Sequence, residues 1–148
     1  MSSRVIRFYR QGDAFGEFSN FAAFPIRLKG AQWPTTEHYF QAQKFTGTPH
    51  EEAVRLATSP SAAAKMGRDR SRPLRPDWEA VKDDIMREAV RAKFVQHPSL
   101  LALLLSTGDA HIVEHTSNDA YWGDGGDGSG KNMLGRILME VRAALAGG

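Results

Sequence analysis

A chain of 148 residues with 41% hydrophobic side chains has the length of one domain and enough apolar content for one core. The lack of cysteine removes disulfide frameworks and thiolate metal sites, and a formal charge of +2 is too small for bulk charge to drive nucleic-acid binding. No window approaches the ~20 apolar residues of a membrane span, and the opening MSSRVIRFYRQGD lacks the apolar run of a secretory signal, so a cytoplasmic address without a membrane partner is expected; a monomer is the further expectation.

Residues 4–9, RVIRFY, alternate with period two and predict a strand. Residues 24–30, FPIRLKG, predict a second strand closed by Gly30, and GEFSNFAAF between them is a loop with a heavy aromatic load. In WPTTEHYFQAQKF, Pro34 and Thr35 supply a helix start, and Glu37 sits in the first turn, where the macrodipole favours a carboxylate. On that helix Glu37, Gln41 and Lys44 fall at i, i+4 and i+7 and share a face. Short helices follow in PHEEAVRLATSP and SPSAAAKMG, punctuated by Pro49, Pro60 and Gly67.

Asp77 is placed to cap a long helix, WEAVKDDIMREAVRAKFVQ, whose apolar stripe is Trp78, Val81, Ile85, Ala89 and Ala92. Pro98 opens another helix in SLLALLLST, and AHIVEHT, β-branched at its centre, predicts a strand. NMLGRILMEVRAAL predicts a closing amphipathic helix with Leu134, Ile137, Leu138, Val141 and Leu145 inward. The sum is an α+β fold: a single compact, mostly helical domain over residues 1–148, with a small β-sheet.

Residues 65–75, KMGRDRSRPLR, set Lys65, Arg68, Arg70, Arg72 and Arg75 against Asp69 alone. Such a run is either a solvated basic loop or a phosphate contact, since arginine forks match phosphate oxygens. Residues 118–138, NDAYWGDGGDGSGKNMLGRIL, are glycine-rich. Gly125, Gly130 and Lys131 satisfy a GxxxxGK pattern, but Asn132 replaces the hydroxyl that would hold magnesium and no buried parallel strand leads into the loop. A calcium loop begun at Asp124 fails too, because Gly126 and Gly128 fall on ligand positions and Gly135 on the closing carboxylate. Glycines serve either a floppy linker or close backbone approach to a ligand, and Tyr121 and Trp122 embedded among them favour the ligand loop.

HIVEH at 111–115 matches a zinc-protease pattern, but on a strand His111 and His115 face one way and Glu114 the other, so no metal is expected. A Glu and a Lys two turns apart are most often a solvated face. Here His38, Tyr39, Phe40 and Phe45 crowd the same helix, so the face can line a pocket instead, where burial raises a carboxyl pKa and lowers an amine pKa. A general acid or an imine-forming amine is made that way.

FSNF, WPTTEHYFQAQKF, MGRDRSRPLRPDWEAVKDDIM, RAKF and VEHTSNDAYWGDGGDGSGKNMLGRILMEVR, in that order, resemble the NADAR family, named for an association with NAD and ADP-ribose, close to its YbiA-like N-glycosidase branch. The resemblance runs from about Ile6 to Leu145. It implies a mainly helical α+β fold, no cofactor, and hydrolysis of an N-glycosidic bond at ribose C1. Two substrate classes come with it: ADP-ribose linked to guanine, including guanine in DNA or RNA, and ribosylated pyrimidine intermediates of early riboflavin biosynthesis. It places catalysis on Glu37, Lys44 and Asp119, and substrate contacts on Asn20, Trp78, Tyr121, Trp122, Gly123 and Asn132, with Arg68 and Arg70 toward the phosphates. Two mechanisms are open: an oxocarbenium-like carbon attacked by water, with Glu37 or Asp119 assisting, or an imine on Lys44. A lysine and a carboxylate on one face favour the imine. The alternative is a non-catalytic module that reads ADP-ribose or NAD.

Overall fold

The computed structural model describes residues 4–147. The strands are β1 (Val5–Phe8), β2 (Ile26–Leu28), β3 (Ala31–Trp33) and β4 (His111–Glu114). The helices are α1 (Thr36–Ala42), α2 (Pro49–Arg55), α3 (Pro60–Arg68), α4 (Trp78–Gln96), α5 (Pro98–Ser106) and α6 (Met133–Ala146). This is the mostly helical α+β composition that the patterning predicts. Among the described residues no helix is long and apolar enough to cross a membrane. The chain gathers into two compact units: one holds the segment up to Ala22 with everything from His97 onward, the other Ala23–Gln96.

In the first unit β1 and β4 pair in parallel, from Val5 opposite His111 to Phe8 opposite Glu114. Ile6 and Phe8 are buried while Val5 and Arg7 face solvent, which is the period-two pattern at work. Leu134, Ile137, Leu138 and Val141 of α6 are buried as the stripe predicts, and Leu145 is half-buried. Arg142 on the same helix is buried too, donating to Thr107 Oγ1 at 2.9 Å and to the Ala110 carbonyl at 2.8 Å. These bonds satisfy the turn between α5 and β4, and burial lowers the guanidinium pKa from its usual value.

In the second unit β2 and β3 form an antiparallel hairpin, Ile26 opposite Trp33 and Leu28 opposite Ala31. Its two-residue turn needs positive φ at both positions, 56° at Lys29 and 73° at Gly30. The sequence reading ends the strand at Gly30 and omits β3, because three residues before a proline carry no periodicity. The core of this unit is Ile26, Trp33, Tyr39, Ala42, Phe45, Val54, Ala63, Ala89 and Ala92. Helix α1 packs against α2, α3 and α4, so all of its side chains are buried, polar ones included.

Three helix starts follow from local chemistry. Thr35, Thr48 and Ser59 accept hydrogen bonds from the amides of His38, His50 and Ala62, and Pro49 and Pro60 occupy positions where an amide hydrogen is not needed. Asp77 stands at the start of α4, its carbonyl accepting from Val81 at 3.2 Å while Arg75 grips its carboxylate at 2.6 and 3.0 Å. Two details depart from expectation. Helix α1 ends at Ala42, and Gln43–Phe45 tighten into a 3-10 turn. Gly67 lies inside α3 instead of ending it.

Candidate active site

In the second unit α1, the 3-10 turn, α3 and the start of α4 converge on Lys44. Its Nζ donates to the Gly67 carbonyl at 3.3 Å and lies 5.7 Å from the centroid of the buried Trp78 ring. Trp78 is itself propped by Phe40, centroid to centroid 5.1 Å. Each step of the 3-10 turn rotates the chain about 20° more than a continued α-helix would, and because seven α-helical steps fall about 20° short of two full turns, Lys44 stays on the side of the helix that carries Glu37. Arg75 holds that turn: its amide donates to the Lys44 carbonyl at 3.0 Å and its guanidinium to the Gln43 carbonyl at 3.3 Å and Thr46 Oγ1 at 3.2 Å.

Burial lowers the Lys44 pKa to about 8, helped by the nearby guanidinium of Arg70, opposed by the Glu37 carboxylate, and helped again by Arg68 and Lys82. The Arg70 effect has a visible origin, since its Nη2 donates to the same Gly67 carbonyl that Lys44 uses. Glu37 is buried one helical turn before Gln41, whose Nε2 donates to Glu37 Oε2 at 2.7 Å. His38 carries no such role. Its Nε2 donates to the Ala57 carbonyl at 3.0 Å, its Nδ1 accepts from Thr35 Oγ1 at 2.8 Å, and burial lowers its pKa, so the ring is a neutral clamp on the start of α1.

The basic segment divides. Arg72 bonds His50 Nδ1 at 2.8 Å and pairs with Asp69 at 3.5 Å, and Arg75 staples the turn, so both support structure. Arg68 and Arg70 remain exposed beside Lys44, and an open concavity of about 580 Å³ is lined by Lys65, Met66, Arg68 and Asp69.

In the first unit the glycine loop is wound around Asp124. Its carboxylate accepts from the amides of Thr116 at 3.0 Å and Gly126 at 2.9 Å and from His115 Nδ1 at 2.8 Å, and its carbonyl accepts from Gly128 and Gly130. Burial opposes ionisation of Asp124, but these donors hold its pKa below the usual carboxylate value. Positive φ at Gly125, Gly126 and Gly128 makes the winding possible. Asp119 Oδ1 accepts from the amides of Tyr121 and Trp122, both at 2.8 Å, and the two rings meet edge to face at 4.9 Å. Gly123 is buried where a Cβ would lie 2.7 Å from Thr116 Cγ2 and 2.9 Å from the Asp119 carbonyl. Asn20 is buried in the same unit.

Asn132, expected among the substrate contacts, has both ends of its amide on β4: Oδ1 accepts from the Glu114 amide at 3.0 Å and Nδ2 donates to the Ile112 carbonyl at 2.9 Å. It acts there as one more rung of the sheet, at a left-handed φ of 53° that asparagine tolerates. His111 is exposed on β4 and His115 lies past its end, and among the described residues no group of three acidic or histidine side chains is placed to hold a metal. Sequence reasoning missed Asp124 and Gly67. An Asp followed by two glycines is an Asx-turn signal that could have pointed to the first. Nothing local marks the second.

Comparison with known proteins places the chain among relatives along nearly its whole length. The NADAR domain family model covers residues 7–146. The N-glycosidase YbiA of Escherichia coli (strain K12) is 60% identical across 99% of this chain and 91% of its own length, and the NMR structure of the E. coli protein YbiA matches with a TM-score of 0.91, covering 99% of this chain and 87% of that one. A riboflavin biosynthesis protein of Vibrio vulnificus (strain YJ016) is 44% identical across 95% of this chain and 38% of its own length.

Proposed function

The chain belongs to the NADAR domain family, and we propose that it is an N-glycosidase that cleaves the bond between ribose C1 and a heterocyclic nitrogen, with Lys44 as nucleophile and Glu37 as proton shuttle. The observation that carries the reading is the amine held at a pKa of about 8 on the same stretch of chain as a buried carboxylate. At pH 7 about one Lys44 in eleven is then neutral, against about one in 3,000 for an ordinary lysine, a gain of about 300-fold in nucleophile.

Neutral Nζ adds to C1 as the C1–N bond breaks. The proton released from Nζ passes through Glu37 to the departing nitrogen, so the base leaves neutral. The ring C1–O bond then breaks, its oxygen taking a proton from solvent to become a hydroxyl, and leaves a protonated imine between C1 and Nζ; water adds at C1 and gives a proton back to solvent, and cleavage of the C1–Nζ bond returns the neutral amine and releases the free sugar. Arg68 and Arg70 are suited to the phosphate of such a sugar, since both are exposed guanidinium groups whose charge already acts on Lys44. Two substrates fit this chemistry: ribosylated pyrimidine intermediates of riboflavin synthesis, in keeping with the relative named for that pathway, and ADP-ribosylated guanine.

Incubating the protein with the riboflavin intermediates and, separately, with guanine-ADP-ribosylated DNA, then measuring released ribose species by mass spectrometry, decides between the substrates. Borohydride added during turnover should fix one sugar to Lys44, and Lys44→Ala should give no adduct. Full activity of Lys44→Ala without any adduct refutes the imine. Two negative substrates with retained binding of ADP-ribose by Glu37→Gln identify a reader instead.

A further inference from the structure

Gly67 has no side chain, and the space one would need is already taken. A Cβ at position 67 would lie 1.8 Å from Gln41 Oε1 and 2.7 Å from its Cδ. Gln41 is only 7% exposed. Its Nε2 donates to Glu37 Oε2 at 2.7 Å, whereas its Oε1 is buried with no hydrogen-bond partner. The amide cannot turn over to improve matters, because its carbonyl would then face the Glu37 carboxylate, two acceptors with no proton between them. An unpaired buried acceptor is a cost, and here it follows from giving Glu37 its donor.

We infer that Gln41 is a positioning residue for Glu37, and that position 67 of α3 is glycine because the Gln41 amide must lie there to reach it. The inference rests on the role proposed above for Glu37. Gly67 thus serves the site twice, its missing side chain seating Gln41 and its carbonyl accepting from Lys44 and Arg70. The clash in Gly67→Ala falls on the far end of a flexible side chain, and alanine suits a helix interior better than glycine does. The amide moves, then, while α3 stays.

A double-mutant cycle over Gly67→Ala and Gln41→Ala tests this. Each single variant should lower kcat about tenfold, the effect of one orienting hydrogen bond, with KM within about twofold. The double variant should be no slower than Gln41→Ala alone, because without the amide there is nothing for the new methyl to displace. In parallel, the side-chain amide of Gln41, followed by 15N NMR without substrate, should show an exchange-protected proton in the native protein and lose it in Gly67→Ala. Wild-type kcat in Gly67→Ala, losses that multiply in the double variant, or an unchanged Gln41 amide signal each overturn the inference. Gln41→Met, similar in length and without the amide, carries the same kcat expectation should Gly67→Ala not fold. If the native protein cleaves none of the proposed substrates, the glycosidase reading fails while the NMR measurement still decides the Gln41 geometry.

Discussion

Lowering the pH from 8 to 6 should reduce kcat/KM about 50-fold, because with a pKa of about 8 the neutral fraction of Lys44 falls from about one half to about one in a hundred. The sign follows from the role: a nucleophilic amine works deprotonated, so activity rises about tenfold per pH unit below the pKa and levels above it. Burial is the main cause of the depressed value and Arg70 the next. Arg70→Met should therefore move the limb upward without bringing it to the usual lysine value, and lower activity at pH 7 accordingly. The assay is kcat/KM against pH for both proteins, with competitive acylation of Lys44 by acetic anhydride, read by peptide mass spectrometry, reporting the amine without substrate. A limb near pH 10 in the native protein, or one that Arg70→Met leaves in place, refutes the reasoning.

Two further expectations concern stability. The folded protein holds His38 below its usual pKa of 6.5, so the unfolded chain binds more protons as pH falls from there toward the folded value, and stability is lost in that window; His38→Gln should flatten the difference between urea midpoints at pH 7 and pH 5. Asn132→Ala removes two hydrogen bonds to β4 at a left-handed position and should cost about 3 kcal/mol in urea unfolding, with the Lys44 titration unchanged; an unaltered midpoint would count against the rung that Asn132 adds to the sheet.

The parts legible in the sequence are those whose cause is local. Thr35, Thr48 and Ser59 cap helices because a hydroxyl reaches an amide two or three residues on, and the β1 and α6 patterns are visible because pleat and helix impose their own periods. The motifs around Glu37 and Lys44 also stand out, since an acid, an amine and several aromatics on one short stretch make an unusual combination. The pairing of β1 with β4 was not legible, because about a hundred residues separate them and each strand's pattern is silent about its partner. The same holds for the tight turn that carries Lys44, whose carbonyls Arg75 holds from far along the chain. By itself the sequence determined the helix starts, the apolar stripes and the residue types available for chemistry, all of which depend on neighbours within a turn or two. Only the tertiary structure decided that Gly67 is a seat for Gln41, that Asp124 organises the glycine loop, and that Lys44 meets Arg70 at one carbonyl, because burial and charge act through space between segments that the chain order keeps apart.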